Sequence, residues 1–250
     1  MKPSTLAAPF LKRVTLLPEK VEAGRFPFGH LPFLKRDDFA LDFGSAITIL
    51  MGENGSGKST LIEGIASCAG FPMLGGSRDH RPAEDAGSGA LGNALRLSWL
   101  PKVSNGFFFR AESFFGLAGY LDEVGSLDRQ GGRALHRQSH GEAFMAMFQN
   151  RLDSGQRAIY LLDEPEVALS PTRQLAFLRI LRDWQRSGQV QAIIATHSPI
   201  LMALPGAELL SLDGGAIHPV TLQDTEHFRV TRRFLMDPDK ALRDLLDEEE

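Results

Sequence analysis

The chain has 250 residues, of which 43% are hydrophobic and 23% are charged, and its formal net charge is −4 at pH 7. This length suits one large domain or a core with a subdomain, and the slightly acidic balance gives no global electrostatic footprint for nucleic acid. The single cysteine, Cys68, excludes an intramolecular disulfide and a cysteine-based zinc site.

The apolar segments are too short for membrane insertion. None approaches the ~18 residues of a membrane span, and residues 1–9 lack the apolar stretch of a signal peptide. We therefore expect a cytoplasmic protein without an intrinsic membrane segment. The cluster of Arg229, Arg232 and Arg233 leaves two alternatives, a basic patch or an ordinary solvated helix face.

The chain opens with patterns that predict β-structure. Residues 14–17 and 39–43 alternate apolar and polar side chains, which is typical of antiparallel strands. Residues 46–51 form a short apolar run that predicts a buried strand, and residues 60–66 continue as an apolar-faced helix.

Between that strand and that helix lies the sequence of a phosphate-binding loop, G-x-x-x-x-G-K-[ST]. Free backbone N–H groups at a helix N-terminus favour phosphate, so this loop predicts ATP binding. Lys58 would reach the β- and γ-phosphates, and the Ser59 hydroxyl would ligate Mg²⁺. The predicted ATP-binding residues of the loop are Gly52, Glu53, Asn54, Gly55, Ser56, Gly57, Lys58, Ser59 and Thr60.

The middle of the chain changes character. Residues 75–77 and 85–89 have the composition of flexible loops, and residues 107–150 carry helical patterns and many aromatic side chains. We therefore predict an inserted, mainly helical lobe over residues 71–150, with a core lobe formed by residues 10–70 and 151–250.

Strand and helix patterns alternate again after residue 157. Residues 158–162 predict a buried strand that ends in Asp163 and Glu164, where Asp163 would hold Mg²⁺ and Glu164 would polarise the attacking water. Ser170 and Pro171 predict the start of a helix, which ends at Gly188. Its predicted apolar stripe consists of Leu175, Leu178, Leu181 and Trp184.

Residues 190–195 predict the next buried strand. His197 follows it and can hydrogen-bond a γ-phosphate or the attacking water. Residues 209–220 predict a hairpin, and Asp224 and Asp237 predict the starts of two terminal helices. The fold class is therefore α/β, a P-loop NTPase core with a mostly parallel sheet, an N-terminal antiparallel β element and the inserted helical lobe.

The chain resembles the ATP-binding cassette ATPase superfamily, because the phosphate loop, residues 161–165 and residues 196–198 occur in the order typical of that family. It resembles in particular the small, stand-alone soluble members described as predicted ATPases or AAA family ATPases. Ser139 and Gly141 match the family's signature segment, with His140 in place of a glycine. The resemblance implies that Ser139 and Gly141 contact the nucleotide of a second subunit, so that ATP and Mg²⁺ join a homodimer.

Two features of the family find no clear counterpart. No residue matches its metal-contacting glutamine; Glu112 is a weak candidate for that role, and a salt bridge in the helical lobe is the alternative. Adenine stacking needs an aromatic side chain near the N-terminal strands, and Phe26, Phe28 and Phe33 are the candidates, for each of which we expect core packing instead.

The function predicted from these patterns is ATP hydrolysis, with Glu164 and His197 as catalytic residues and with ATP-driven dimer closure as a switch on an unidentified protein partner. One alternative is the nucleotide-binding subunit of a membrane transporter. The other is a nucleic-acid-associated ATPase resembling the head domains of chromosome-maintenance proteins, which the net charge does not support.

Overall fold

The computed structural model describes residues 6–35, 38–78, 89–113, 142, 144, 145, 148 and 156–247. Its strands are β1 (Leu11–Leu16), β2 (Ala40–Asp42), β3 (Ile47–Met51), β4 (Leu95–Trp99), β5 (Gly106–Arg110), β6 (Ala158–Asp163), β7 (Val190–Ala195), β8 (Glu208–Ser211) and β9 (His218–Pro219). Its α-helices include α1 (Lys58–Ala69), α2 (Ala90–Ala94), α3 (Pro171–Ser187), α4 (Pro199–Met202), α5 (Glu226–Met236) and α6 (Pro238–Asp247).

The larger sheet has the strand order β5-β6-β7-β3-β8-β9. Its first five strands run parallel, and β9 pairs antiparallel with β8. The predicted mostly parallel sheet is therefore confirmed. Because the strands are parallel, the carboxyl ends of β3, β6 and β7 meet at one edge of the sheet, which is where ligands bind in open α/β folds.

Both faces of this sheet are buried, which explains the continuous apolar runs of its strands. In β6, Tyr160 and Leu162 pack into one core cluster with Trp184 of α3. Ile159 and Leu161 point to the opposite cluster, which includes side chains of α1 and of the antiparallel sheet. The side-chain period of two thus divides each strand between two cores.

The smaller sheet has the order β2-β1-β4 and is antiparallel throughout, as the N-terminal pattern predicts for β1 and β2. Gln191 of β7, whose side chain is fully buried, links it to the larger sheet. Its Oε1 accepts hydrogen bonds from the backbone N–H groups of Phe10 and Leu11, at 2.7 Å each, and its Nε2 donates to the Leu11 carbonyl at 3.0 Å. This polar side chain therefore satisfies backbone groups just before and at the start of β1.

The predicted helical lobe, residues 71–150, contains two strands of the core sheets. β4 pairs with β1, and β5 pairs with β6, so these strands belong to the core sheets rather than to a helical lobe. The aromatic residues 107–109 are fully buried in β5, where bulky side chains suit a pleated surface. Of the rest of the predicted lobe, Phe144 and Phe148 are helical and pack against Phe177 of α3.

Helix α3 begins after Ser170 and ends at Gly188, which has a left-handed backbone with φ of 63°. The predicted apolar stripe is wrong at Leu175, whose exposed fraction is 56%. Gln174 is buried there instead, because its Nε2 donates to the Leu169 carbonyl and its Oε1 accepts from the Ser198 hydroxyl. A polar side chain with both ends hydrogen-bonded can occupy a core position that hydropathy assigns to an apolar one.

The C-terminal region follows the predicted hairpin and helices. Strands β8 and β9 flank a turn at Asp213–Gly215. The cap of α5 is Thr225, one residue after the predicted start, and Asp237 precedes α6. Within the described ranges, no helix has the length and apolar character needed to cross a membrane.

Candidate functional site

The phosphate-loop sequence lies between β3 and α1, in the strand–loop–helix order that the motif requires. Gly57 caps α1 with a left-handed backbone at φ of 97°. A Cβ at Gly57 would come within 2.8 Å of the Leu31 side chain. Glycine is therefore needed here both for the backbone conformation and for the close approach of residue 31.

Lys58, the first residue of α1, is buried inside the loop with an exposed fraction of 4%. Its Nζ donates to the carbonyl oxygens of Gly52 at 2.7 Å and Glu53 at 3.0 Å. Burial lowers the pKa of Lys58, and nearby carboxylates oppose that shift by favouring the charged amine. Those carboxylates belong to Glu164, Asp213, Asp163 and Glu166.

Asp163, the last residue of β6, faces the start of α1. Its carboxylate hydrogen-bonds with the Ser59 side chain. Burial raises the pKa of Asp163 to about 7, the Ser59 hydrogen bond acts to lower it, and the neighbouring Glu164 raises it further. Its Oδ1 is buried and has no hydrogen-bond partner within the described part of the chain. A buried oxygen of this kind is suited to a cation or to a bound water.

Glu164 follows Asp163 with φ of 52° and ψ of 52°, a left-handed conformation that is uncommon for a residue with a side chain. Its backbone N–H donates to the Ala195 carbonyl at 3.0 Å, which links the ends of β6 and β7. Its Oε1 lies 3.8 Å from Nε2 of His197. Strained backbones of this kind concentrate at functional sites, where the surrounding structure holds them.

Two hydrogen-bonding contacts fix His197. Its backbone N–H donates to Oε1 of Glu166 at 2.6 Å. Its ring Nδ1 lies 2.9 Å from Nε2 of His227 in α5. Burial lowers the pKa of His197, with smaller contributions from the cationic Lys58 and from His227, so the imidazole is neutral near pH 7.

The structure thus brings together the predicted residues of three separate segments: Lys58 and Ser59 from α1, Asp163 and Glu164 from the end of β6, and His197 after β7. Sequence reasoning missed three residues that hold them. Glu166 lies two residues after Glu164, and its closeness to the predicted carboxylate pair was the signal in the sequence. Asp213, interpreted only as a hairpin turn, accepts a hydrogen bond from the Glu53 backbone N–H at 2.8 Å. His227 had no sequence signal.

Glu112 forms a salt bridge with Arg110, and a salt bridge was the alternative to its predicted metal contact. Its side chain is 84% exposed, and its Oε2 lies 3.3 Å from the Arg110 guanidinium. Arg110 also pairs with Glu63 of α1 at 2.8 Å. Arg110 is the register partner of Asp163 on the neighbouring strand, so a cation, rather than Glu112, lies beside the predicted metal ligand.

The predicted signature residues Ser139 and Gly141 lie outside the described residues. Glu142, which follows them, is exposed and its Oε1 lies 3.2 Å from the Arg173 guanidinium near the start of α3.

Among the aromatic candidates for adenine stacking, Phe28 and Phe33 are buried and Phe26 is 57% exposed. Core packing therefore accounts for Phe28 and Phe33, and the expectation of a core role is wrong for Phe26. The Phe26 ring contacts His30, with ring centroids 5.6 Å apart.

The residues present fit a magnesium nucleotide. Mg²⁺ is usually held by one or two carboxylates together with substrate phosphates. Asp163 offers an unpaired buried oxygen beside the Ser59 hydroxyl. The described residues contain no cluster of three or more histidine, cysteine, aspartate or glutamate side chains that could hold a metal.

Comparisons with known proteins concern the family and the fold. A family model described as "AAA domain, putative AbiEii toxin, Type IV TA system" matches residues 143–203, and a model described as "AAA domain" matches residues 29–92. In fold, the chain is similar to an ATP-binding cassette of an ABC transporter solved in its ADP conformation. The TM-score is 0.52 at 14% identity, over 90% of this chain and 99% of that chain.

Two curated relatives extend the comparison. Protein ea59 of Escherichia phage lambda is 43% identical over 70 residues, which are 27% of this chain and 13% of that protein. The chain thus spans only a small part of ea59. The cytochrome c biogenesis ATP-binding export protein CcmA of Mesorhizobium japonicum is 33% identical over 180 residues, which are 68% of this chain and 86% of that protein. With this identity over most of both sequences, the chain belongs to the ATP-binding cassette ATPase superfamily and is an ATP hydrolase.

Proposed function

We propose that this chain hydrolyses Mg-ATP at the edge formed by β3, β6 and β7, and that ATP closes two copies of it into a homodimer. The observation that carries the proposal is the meeting of Lys58, Asp163, Glu164 and His197 at the carboxyl ends of these strands. In this proposal Glu164 and His197 are the catalytic residues, residues 52–60 bind the phosphates, and Ser59 and Asp163 hold Mg²⁺.

Phosphate binding begins with the loop itself. The backbone N–H groups between Gly55 and Thr60 lie at or before the N-terminus of α1, where the helix dipole favours negative charge. Lys58 is already held in the loop by the carbonyl groups of Gly52 and Glu53. On ATP binding its ammonium exchanges these acceptors for phosphate oxygens, which are charged and therefore stronger acceptors.

Hydrolysis needs a group that orients water and a group that contacts the transferred phosphate. Glu164, whose backbone is left-handed at the end of β6, accepts a hydrogen bond from the attacking water. His197, whose Nε2 lies 3.8 Å from Oε1 of Glu164, donates a hydrogen bond to the γ-phosphate. When bound, Mg²⁺ would supply charge neutralisation for the transferred phosphate.

The resemblance to the family supports a site shared between two copies. Ser139 and Gly141 of one copy would contact the nucleotide bound by the phosphate loop of the other, in an isologous interface. ATP then acts as a bridge between subunits, and its hydrolysis reopens the dimer. We propose that the closed dimer is the state that acts on an unidentified protein partner in the cytoplasm.

The oligomeric state of the Glu164→Gln variant tests the dimer. We expect light scattering after size exclusion to report a dimer with Mg-ATP and a monomer without nucleotide. Adding Ser139→Arg should block closure, because it places bulk and an unpaired charge in the interface. Ser104→Arg, at an exposed loop position, is the matched control and should leave the dimer intact. If the Glu164→Gln variant remains monomeric at saturating ATP, the homodimer is contradicted.

A second candidate is an ATP-binding subunit of an export system, because CcmA, which is named as an ATP-binding export protein, is 33% identical and 86% of it is covered. Affinity capture with the Glu164→Gln variant, with and without ATP, separates the two proposals. A membrane-embedded protein captured from detergent extracts would favour export, and a soluble partner captured only with ATP would favour the switch.

A further inference from the structure

The C-terminal helix α5 reaches the nucleotide site through its second residue, His227. Thr225 caps the helix and is buried; its hydroxyl donates to the Leu222 carbonyl at 2.7 Å and accepts from the Phe228 backbone N–H at 3.3 Å. This cap fixes the first turn of α5 and holds the ring of His227 against that of His197, with centroids 5.1 Å apart.

The ring of His197 lies between two groups. Its Nδ1 is 2.9 Å from Nε2 of His227, a hydrogen-bonding distance. Its Nε2 is 3.8 Å from Oε1 of Glu164, too far for a direct hydrogen bond. This Nε2 is buried and finds no hydrogen-bond partner in the part of the chain that the structure describes. One nitrogen is therefore occupied, and the other lies beside Glu164.

The chemistry of the two neighbours determines where the proton of His197 lies. Because its pKa is lowered, the imidazole is neutral and carries one ring N–H. A carboxylate can only accept hydrogen bonds, so Glu164 favours the proton on Nε2. Nδ1 then has a lone pair, and His227 satisfies it by donating from its own Nε2–H. The other nitrogen of His227, Nδ1, is buried and has no partner among the described atoms.

We propose that His227 is a positioning residue that holds His197 in the tautomer with its proton on Nε2. In this tautomer His197 offers an N–H to the γ-phosphate; in the other tautomer it would present a lone pair there and repel the phosphate oxygens. The inference rests on the proposed role of His197. It assigns a role in hydrolysis to His227, which lies 30 positions further along the chain. It also makes α5 part of the nucleotide site.

The tautomer can be measured without catalysis. In protein labelled with ¹⁵N at histidine, we expect a pyrrole-type shift for Nε2 of His197 and a pyridine-type shift for Nδ1, assigned with His197→Gln. His227→Phe keeps a ring but removes the donor, so the two shifts should move toward a mixture of tautomers. His227→Gln retains an amide N–H donor and should restore them. His218→Phe, at an exposed histidine on β9, is the matched control.

Steady-state kinetics give the second readout. We expect kcat of His227→Phe to fall roughly 10- to 100-fold and KM for ATP to stay unchanged. The fall is smaller than the ~10²–10⁴-fold that a correctly protonated acid or base supplies, because His197 itself remains in place. His227→Gln should recover most of kcat, and His218→Phe should retain all of it. A merely structural role of His227 would not give rescue by glutamine together with an unchanged KM.

The outcomes separate this inference from the function on which it rests. Nitrogen shifts of His197 that stay the same in His227→Phe, or a wild-type proton on Nδ1, would overturn the inference whatever the activity. A tautomer that changes as expected while kcat of both His227→Phe and His197→Ala stays at the wild-type value would instead overturn the proposed role of His197 in hydrolysis.

Discussion

Lys58 Nζ lies 2.7 Å from the carbonyl oxygen of Gly52, so the phosphate loop binds its own lysine in the structure. Lys58 is almost completely buried, with an exposed fraction of 4%, and this burial lowers the pKa of its ammonium group. A desolvated cation already placed in the loop gains strongly from an incoming anion. The site is therefore prepared for phosphate before nucleotide arrives.

The first prediction concerns this lysine. Lys58→Ala should lose tight ATP binding, because a charge-assisted contact of roughly 1.5–3 kcal/mol disappears, which corresponds to at least about a tenfold rise in Kd. Calorimetric titration with Mg-ATP measures it. Lys20→Ala, at an exposed position, should bind as the wild type does. Equal affinities for Lys58→Ala and the wild type would remove the loop from the ATP site.

Gly57 provides the second prediction. Gly57→Ala places a Cβ within 2.8 Å of Leu31 on a backbone with φ of 97°, so we expect a loss of roughly 1–3 kcal/mol in the free energy of unfolding and weaker ATP binding. Gly89→Ala is the matched control, since a Cβ there meets nothing within 4 Å and φ is −59°. Thermal unfolding of both variants decides the matter: equal stabilities would contradict the crowding around Gly57.

The third prediction follows from the buried carboxyl of Asp163. The fold raises its pKa from the ordinary 3.8 to about 7, so the fold favours the neutral form. This stabilising contribution is complete below about pH 3.8 and is lost as the pH rises to about 7. Asp163→Asn keeps a neutral side chain at every pH. In metal- and nucleotide-free protein, its advantage in free energy of unfolding should therefore grow to about 4 kcal/mol at most by pH 8.

Chemical denaturation of the two proteins at several values between pH 4 and pH 8 measures this difference. An advantage that shrinks as the pH rises would show that the Asp163 carboxylate is already stabilised by a partner in the free protein.

The local parts of the site could be predicted from the sequence, and the long-range parts could not. The phosphate loop follows β3, and Asp163 and Glu164 lie at the carboxyl end of β6. Their positions at the sheet edge therefore depend only on strand direction. Asp213 and His227 reach the site from distant segments, and no spacing rule connects them to Glu53 or His197.

The errors in the fold have similarly specific causes. Residues 107–109 are all aromatic and buried on both faces of β5, so they carry no period of two by which a strand could be recognised. Gln174 occupies a buried position in α3 because Leu169 and Ser198 satisfy its amide, and hydropathy cannot register such partners. Ser139 and Gly141 remain a prediction.

Glu164→Gln tests the central claim most directly. Glutamine keeps the shape of the side chain but is a poor proton acceptor, so the account predicts that the variant binds ATP and releases phosphate about 10²–10⁴-fold more slowly than the wild type in steady-state assays with Mg-ATP. Glu19→Gln, at an exposed position, should hydrolyse at the wild-type rate. Wild-type turnover by Glu164→Gln would contradict the account, because another group would then have to orient the attacking water.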